Sequence, residues 1–435
     1  MGKRSAGPSR ISRRAALKGA SAFGLAATSG VTTFNVARAA SDTIKIGFIN
    51  LLSGMKADFG QADPFVVDLF KSYLKGGLKI GAKTYNIEIL MRDDQSDANR
   101  AVELANDLVL RQQCDLVLSA DLIASIPLGN LADAQGVPMI STQAPWQPWM
   151  FARGSNPGKG FPYSFHFFWG SEGPLTTFID MWNSVKTDRI VGTMFGDEPG
   201  GRGFGDPQRG LPALLAKSDF KEVSSGFFQL GSDDFSNQVA AFKNGKADIV
   251  SGFCWPKHWA TFWRQAAQAG YKPEVCSVAG AFLFPTAVEA LGNGDGMSTE
   301  ISWTPAFPFK SSITGESCKD FAAAYQKASG RQWVQTMGYT YALFEVALAA
   351  FKSAGDPTNK DAVRDAIAAL QLDTMVGPVN FKDSHIKNVS TTFLAGGQWR
   401  KSKSGPFPYD LLVVNNKLAP MIPVESDLKL LSQLA

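Results

Sequence analysis

Short apolar runs alternate with segments whose apolar residues recur at helical spacing, and few folds satisfy that pattern. Thr43–Leu51, Tyr85–Met91, Asp115–Ser119 and Pro138–Ser141 read as buried strands. Between them lie three helical segments. The first runs from Asp58 to Gly76 and ends at Gly76-Gly77. The second is capped by Ser96 or Asp97, with Ala101, Leu104, Ala105 and Leu108 on one face. The third spans Ile123–Gln135 and stops at Gly136. Strands buried on both faces read as near-continuous apolar runs, and a strand–helix–strand order brings successive strands together in parallel. After a Pro-, Gly- and aromatic-rich loop over 145–162 the alternation restarts, with strands at Ile190–Phe195, Asp248–Phe253 and Val275–Val278. The helix His258–Ala269 carries Trp259, Phe262, Trp263, Ala266 and Ala267 on one stripe. Three helical segments follow Trp303-Thr304-Pro305, at Cys318–Ser329, Met337–Ser353 and Asp361–Leu370. Short strands return at Gly377–Phe381 and within Thr391–Val414. The class is α/β, in two similar units.

Charge is distributed unevenly along the 435 residues. The formal net charge is +4, but residues 1–39 hold seven basic groups (Lys3, Arg4, Arg10, Arg13, Arg14, Lys18 and Arg38) and no acid. From residue 40 onward there are 36 basic and 39 acidic groups, a net −3. A mildly acidic body disfavours nucleic acid as a partner. The basic segment runs through Arg13-Arg14-Ala15-Ala16-Leu17-Lys18 into a weakly apolar stretch, Gly19–Val36, and then Ala37-Arg38-Ala39. That is the layout of an export signal cleaved near Ala39, and the arginine pair resembles a twin-arginine signal. Ala16 stands where a larger residue is usual, so the general secretory route stays open. The stretch is too polar for a membrane span. Cys114, Cys254, Cys276 and Cys318 form no zinc spacing. Cys254 ends one apolar run and Cys276 opens the next, at opposite edges of a parallel sheet, so free buried thiols are expected.

Six segments in order resemble the periplasmic substrate-binding proteins of the branched-chain amino acid type, which feed ATP-driven (ABC) importers. They are Ile44–Gly54, Arg92–Arg100, Gly136–Ser141, Phe195–Glu198 with Gly201-Arg-Gly203, Gln265–Pro273 and Val376–Phe381. The resemblance covers residues 42–400. It implies a type I periplasmic binding fold: two Rossmann-like lobes with parallel sheets, joined by three hinge crossovers near 163, 302 and 388. Lobe I would be 40–162 plus 303–388, and lobe II 163–302 plus 389–435. It also implies a small-molecule ligand in the cleft, a membrane permease as partner, a monomer, and no enzyme activity, cofactor or metal. In open α/β sheets ligands sit beyond the carboxyl ends of the strands, where helix N-termini present free N–H groups.

Candidate ligand contacts follow the strand ends. Ser53 lies in the loop after the first strand. Asp121 and Ser125 are the polar side chains after the third, where amino-acid binders of the family place a Ser/Thr pair for the ligand carboxylate. Thr142, Gln143 and Ala144 match the segment that binds carboxylates in the family, and Trp146 follows in a proline-flanked loop. In the second unit Asp197, Arg202 or Phe204, Phe253 and Trp255 are candidates. Phe282 lies in the segment where amino-acid binders carry a Glu for the ligand ammonium. A buried ammonium needs a counter-charge, so these departures tilt the expectation from leucine-like ligands toward amides or apolar and aromatic carboxylates.

Rival readings fare worse. The glycines of Gly201-Arg-Gly-Phe-Gly205 miss the dinucleotide spacing, because Asp206 or Gln208 stands at the third position; an NAD-dependent enzyme is a remote alternative. His166, His258 and His385 read as surface or cleft-lining imidazoles with no nucleophile elbow to serve. Asp93-Asp94 and Asp233-Asp234 precede helices, where carboxylates cap rather than bind metal. A ligand-sensing protein that presents its ligand to a receptor shares the fold and is the nearer alternative.

Overall fold

The structure, a computed structural model, describes residues 42–434 and Gly2. Apart from Gly2, the export-signal reading of residues 1–39 lies outside the described residues. The strands, in chain order, are β1 (Thr43–Asn50), β2 (Leu78–Ile80), β3 (Lys83–Asp93), β4 (Leu116–Ser119), β5 (Met139–Thr142) and β6 (Ser164–Phe167). Next come β7 (Ile190–Gly196), β8 (Lys221–Phe228), β9 (Ile249–Phe253), β10 (Val275–Ala279) and β11 (Met297–Ile301). The last five are β12 (Gln371–Thr374), β13 (Gly377–Asn380), β14 (Val389–Ser390), β15 (Ala395–Lys401) and β16 (Tyr409–Asn415).

Two seven-stranded sheets form, in the orders β14-β6-β5-β4-β1-β3-β2 and β16-β15-β11-β10-β9-β7-β8. In the first, only β2 runs antiparallel to its neighbour. In the second, β8 through β11 are parallel, and β15 and β16 add antiparallel strands at one edge. β12 and β13 make a separate hairpin. The central strands are buried on both faces, as continuous apolar runs require. Each sheet is the heart of one lobe of an α/β fold.

The chain passes between the sheets three times: after Phe167, after Ile301 and after Ser390. β6 and β14 both pair into the first sheet, so the first and third passages fall a few residues beyond positions 163 and 388. The helices that follow the second passage return to the first lobe. There the almost wholly buried helix Thr336–Ala354 sets Phe344 against Phe48 and Phe70, at ring separations of 5.6 and 5.0 Å.

Local chemistry accounts for the departures from the sequence reading. The expected helix over 58–76 is instead a 3-10 turn, Ala57–Gly60, and a helix, Asp63–Tyr73. Pro64 lies in the first turn of that helix, the one place where its missing N–H goes unnoticed. A Cβ on Gly60 would sit 2.3 Å from the Leu51 carbonyl, so the turn packs directly against the end of β1. The loop 145–162 contains a helix, Trp146–Phe151. β8 escapes a hydrophobic reading because it is a mostly solvated edge strand.

All four cysteines are free and buried. Burial pushes the Cys114 and Cys318 thiols up to about 12 and raises Cys254 and Cys276 as well. His166 and His258 are buried, not surface or cleft groups. The His166 ring stacks on Trp149 and bonds the Ala144 carbonyl through Nε2 (2.8 Å) and Ser141 Oγ through Nδ1 (2.9 Å). A carbonyl can only accept, so Nε2 carries the proton. Burial lowers the imidazole to about 3, which keeps it neutral.

Candidate functional site

The carboxyl ends of the two sheets face a shared cavity of about 530 Å³. From the first lobe, Leu51 follows β1, Asp121 to Ile123 follow β4, Gln143 to Pro145 follow β5, and Phe168 and Trp169 follow β6. From the second, Glu198 to Gly200 follow β7, Phe253 and Trp255 end β9, Gly280 follows β10, and Glu300 and Ser302 close β11. The long helix adds Gln335, Thr336 and Tyr339 at its start, and Lys56 and Phe59 come from the turn after β1. This is where doubly wound sheets place ligands.

Aromatic rings dominate the walls. Phe253 packs against Phe204 (5.2 Å) and edge-on to Trp255 (5.3 Å). The Phe253 ring reaches the neighbouring helix Pro199–Phe204 because residue 200 is glycine: a Cβ there would lie 2.5 Å from the ring. Across the cleft, Phe59 meets Phe284 (4.9 Å) and Trp255 (6.4 Å) edge-on, and Lys56 Nζ sits 4.7 Å over the Trp255 ring. Such contacts hold the two lobes together over the cavity.

Six of the thirteen residues named from sequence line the cavity: Asp121, Gln143, Ala144, Phe204, Phe253 and Trp255. The Asp121 side chain also caps the helix Leu122–Gln135 by accepting from Ala124 N (2.8 Å). Its carboxyl is pushed up to about 7 by burial. Gln143 takes a left-handed backbone, φ +62°, an unusual conformation of the kind that clusters at functional sites. Its amide nitrogen donates to the Thr336 carbonyl (3.1 Å) and to Thr340 Oγ1 (3.2 Å). Thr340 in turn donates to the buried Asp63 (2.8 Å), which also accepts from Asn50.

The other seven are engaged elsewhere. Ser53 donates to Asp93 Oδ2 (2.6 Å), and Asp93 also accepts from the Leu52 and Ser53 amides, which ties down the loop. Ser125 bonds the Leu122 carbonyl within its own helix, and Thr142 bonds the Phe167 carbonyl across to β6. Trp146 packs on Phe151 and the cluster around Trp149. Asp197 pairs with Arg202 (2.6 Å), whose side chain is 68% exposed. Its neighbour Glu198 faces the cavity instead and caps the adjoining helix at Gly201 N (3.0 Å). Phe282 is fully buried edge-on to Trp259, so Leu283 and Phe284 line the cavity in its place.

Glu300 is the main lining residue that sequence reasoning missed. It is 4% exposed and accepts from Thr299 Oγ1 (2.9 Å), and burial pushes its carboxyl up to about 7. A lone acid inside a run such as Met297–Ile301 was the available signal. Among the described residues no group of His, Cys, Asp and Glu is arranged to hold a metal ion, and no helix is long and apolar enough to cross a membrane.

Comparison with known proteins places this geometry in context. The model of a family described as periplasmic binding protein matches residues 43–403. Among solved structures, the chain is similar to the leucine-binding protein LivK of Thermotoga maritima, at 16% identity over 86% of this chain and 99% of that one, with a TM-score of 0.66. It is similar to an ABC-transporter solute-binding protein of Rhodopseudomonas palustris in complex with 3,4-dihydroxybenzoic acid, at 19% identity over 89% and 98%, with a TM-score of 0.68. LivJ of Streptococcus pneumoniae, in complex with isoleucine, matches at 17% over 85% and 99%, with a TM-score of 0.66. At these identities the likeness speaks to the fold.

Proposed function

The chain belongs to the periplasmic binding protein family, and from that premise we propose that it captures a small, largely apolar solute between its lobes and delivers it to the permease of an ABC importer. The carrying observation is the aromatic-walled cavity at the facing carboxyl ends of the parallel strands of two sheets. Residues 42–167 with 303–390 act as one lobe, and 172–301 with 395–434 as the other, hinging at the three passages. Asp121, Gln143, Ala144, Phe253 and Trp255 contact the solute. Residues 1–39 direct export as a signal cut near Ala39, and the protein works in the periplasm as a monomer. Its family is one of binding proteins rather than enzymes, and the Ser141–His166 pair supports that reading. Both residues are wholly buried and neither lines the cavity, so no substrate reaches them.

Native mass spectrometry of protein recovered from the periplasm of its own host is the direct test. The expected result is a non-covalent small-molecule adduct, released on mild activation and restored by adding the solute back. Chemical turnover of that solute, or a cleft that takes up no small molecule from a broad solute panel, refutes the proposal.

A further inference from the structure

The polar groups of the cavity are unbalanced, and the imbalance points to the ligand's charge. Three carboxylates line it, from Asp121, Glu198 and Glu300, against one basic side chain, Lys56. Several lining donors are committed within the protein. Gln143 Nε2 serves Thr336 and Thr340, Gln335 Nε2 serves the Glu300 carbonyl, and Ser302 Oγ serves Gln335. Thr336 accepts through a backbone carbonyl, so the Gln143 amide must turn its NH2 that way, and its Oε1 is left buried with no partner. Glu300 is buried with no cation among the groups that act on it. Among the buried lining donors, Trp169 Nε1 and Thr336 Oγ1 have no partner, and they suit a carbonyl or hydroxyl oxygen on the ligand.

A buried carboxylate without a counter-charge is costly, and an unmatched buried acceptor adds to that. A ligand that brings its own positive charge relieves both. The walls are suited to it as well, since the Trp255 ring already carries a primary ammonium, that of Lys56, on its face. We propose that the cleft selects an organic cation: a protonated amine on an apolar or aromatic body, with Glu300 and Asp121 as counter-charges and Gln143 Oε1 as acceptor. This rests on the solute-binding reading above and names its substrate class. Burial holds both carboxyls near 7, with Asp94 adding to it at Asp121 against the opposing charge of Lys56, and a ligand ammonium would bring them back toward their ordinary range.

Isothermal titration with three ligands that share a phenylethyl body tests it: 2-phenylethylamine, 3-phenylpropanoate and 3-phenylpropanamide. The amine is expected to bind the parent protein at least tenfold more tightly than the acid, with the amide between them. Glu300→Gln should weaken the amine about tenfold or more while changing the amide little. Asp121→Asn keeps a good helix cap and should act in the same direction, which covers the case in which Glu300→Gln fails to fold. Tightest binding by the acid, or equal loss of amine and amide in the variants, overturns the inference. If none of the three binds while native mass spectrometry finds another, uncharged or anionic adduct, the cation inference fails and the solute-binding reading stands. If no adduct of any kind is found, the solute-binding reading fails with it.

Discussion

Phe59→Ala removes two of the contacts that span the cleft. Phe59 sits in the turn Ala57–Gly60 of the first lobe, and its ring meets Phe284 and Trp255 of the second at 4.9 and 6.4 Å. Edge-on aromatic pairs contribute about 0.5–1.5 kcal/mol each beyond area burial, so removing both weakens closure by about 1–3 kcal/mol. At about 1.4 kcal/mol per decade, that is a roughly 5- to 150-fold shift toward the open form. The dissociation constant of the identified solute should rise by up to that factor, because binding competence scales with the closed population. Small-angle scattering should show a larger radius of gyration for the variant without solute. Thermal unfolding should move by only a few degrees, since Phe59 is half-buried and lies outside either lobe's sheet. An unchanged dissociation constant together with an unchanged scattering profile would refute the idea that these rings bias closure.

Other perturbations follow from the same geometry. The Arg153 side chain is buried, paired with Asp133 at 2.5 Å and stacked 3.8 Å over the Phe161 ring; Arg153→Ala takes the cation from that carboxylate and leaves it the Tyr163 amide and the Ser164 hydroxyl, and should lower stability by about 3 kcal/mol, as read by urea unfolding. Gly200→Ala should push the Phe253 ring into the cavity and weaken solute binding while leaving urea unfolding nearly unchanged; equal affinity in parent and variant would show that the ring has room to move. Asp63 is held up at about 7 by burial, above its ordinary 3.8. The native state therefore binds the extra proton, and this group's contribution to stability falls as pH rises from about 4 to about 7. Asp63→Asn removes that dependence, so the variant's Tm should gain on the parent's across the window; a constant Tm difference from pH 4 to 8 would contradict it.

The fold was legible because burial on both faces leaves a plain mark: Thr43–Asn50, Met139–Thr142 and Ile249–Phe253 are short, mainly apolar segments buried almost throughout. Strand ends locate the cleft in turn, which is why Phe253, Trp255, Asp121 and Gln143 were within reach of sequence. The choice among neighbouring side chains was not. Asp197 and Glu198 are adjacent acids, yet one pairs with Arg202 in solvent and the other faces the cavity, a difference set by the turn into the helix Pro199–Phe204. Phe282 lost its place to Leu283 and Phe284 through the same kind of local turn, after Gly280 at φ +78°. Glu300 required knowing that β11 lies beside β10 and that its end opens on the cleft.

The four sequestered thiols impose an order of events on the life of the chain. Unfolded, it carries four ordinary cysteines, any two of which can be oxidised to a bridge that the native fold does not contain. Folded, Cys114, Cys254, Cys276 and Cys318 are sealed from solvent and disinclined to ionise. In an oxidising compartment, folding and oxidation are therefore competitors, and the winner decides whether the molecule is usable. A chain that reaches that compartment already folded never enters the contest, so the route of export and the burial of its sulfurs bear on the same problem.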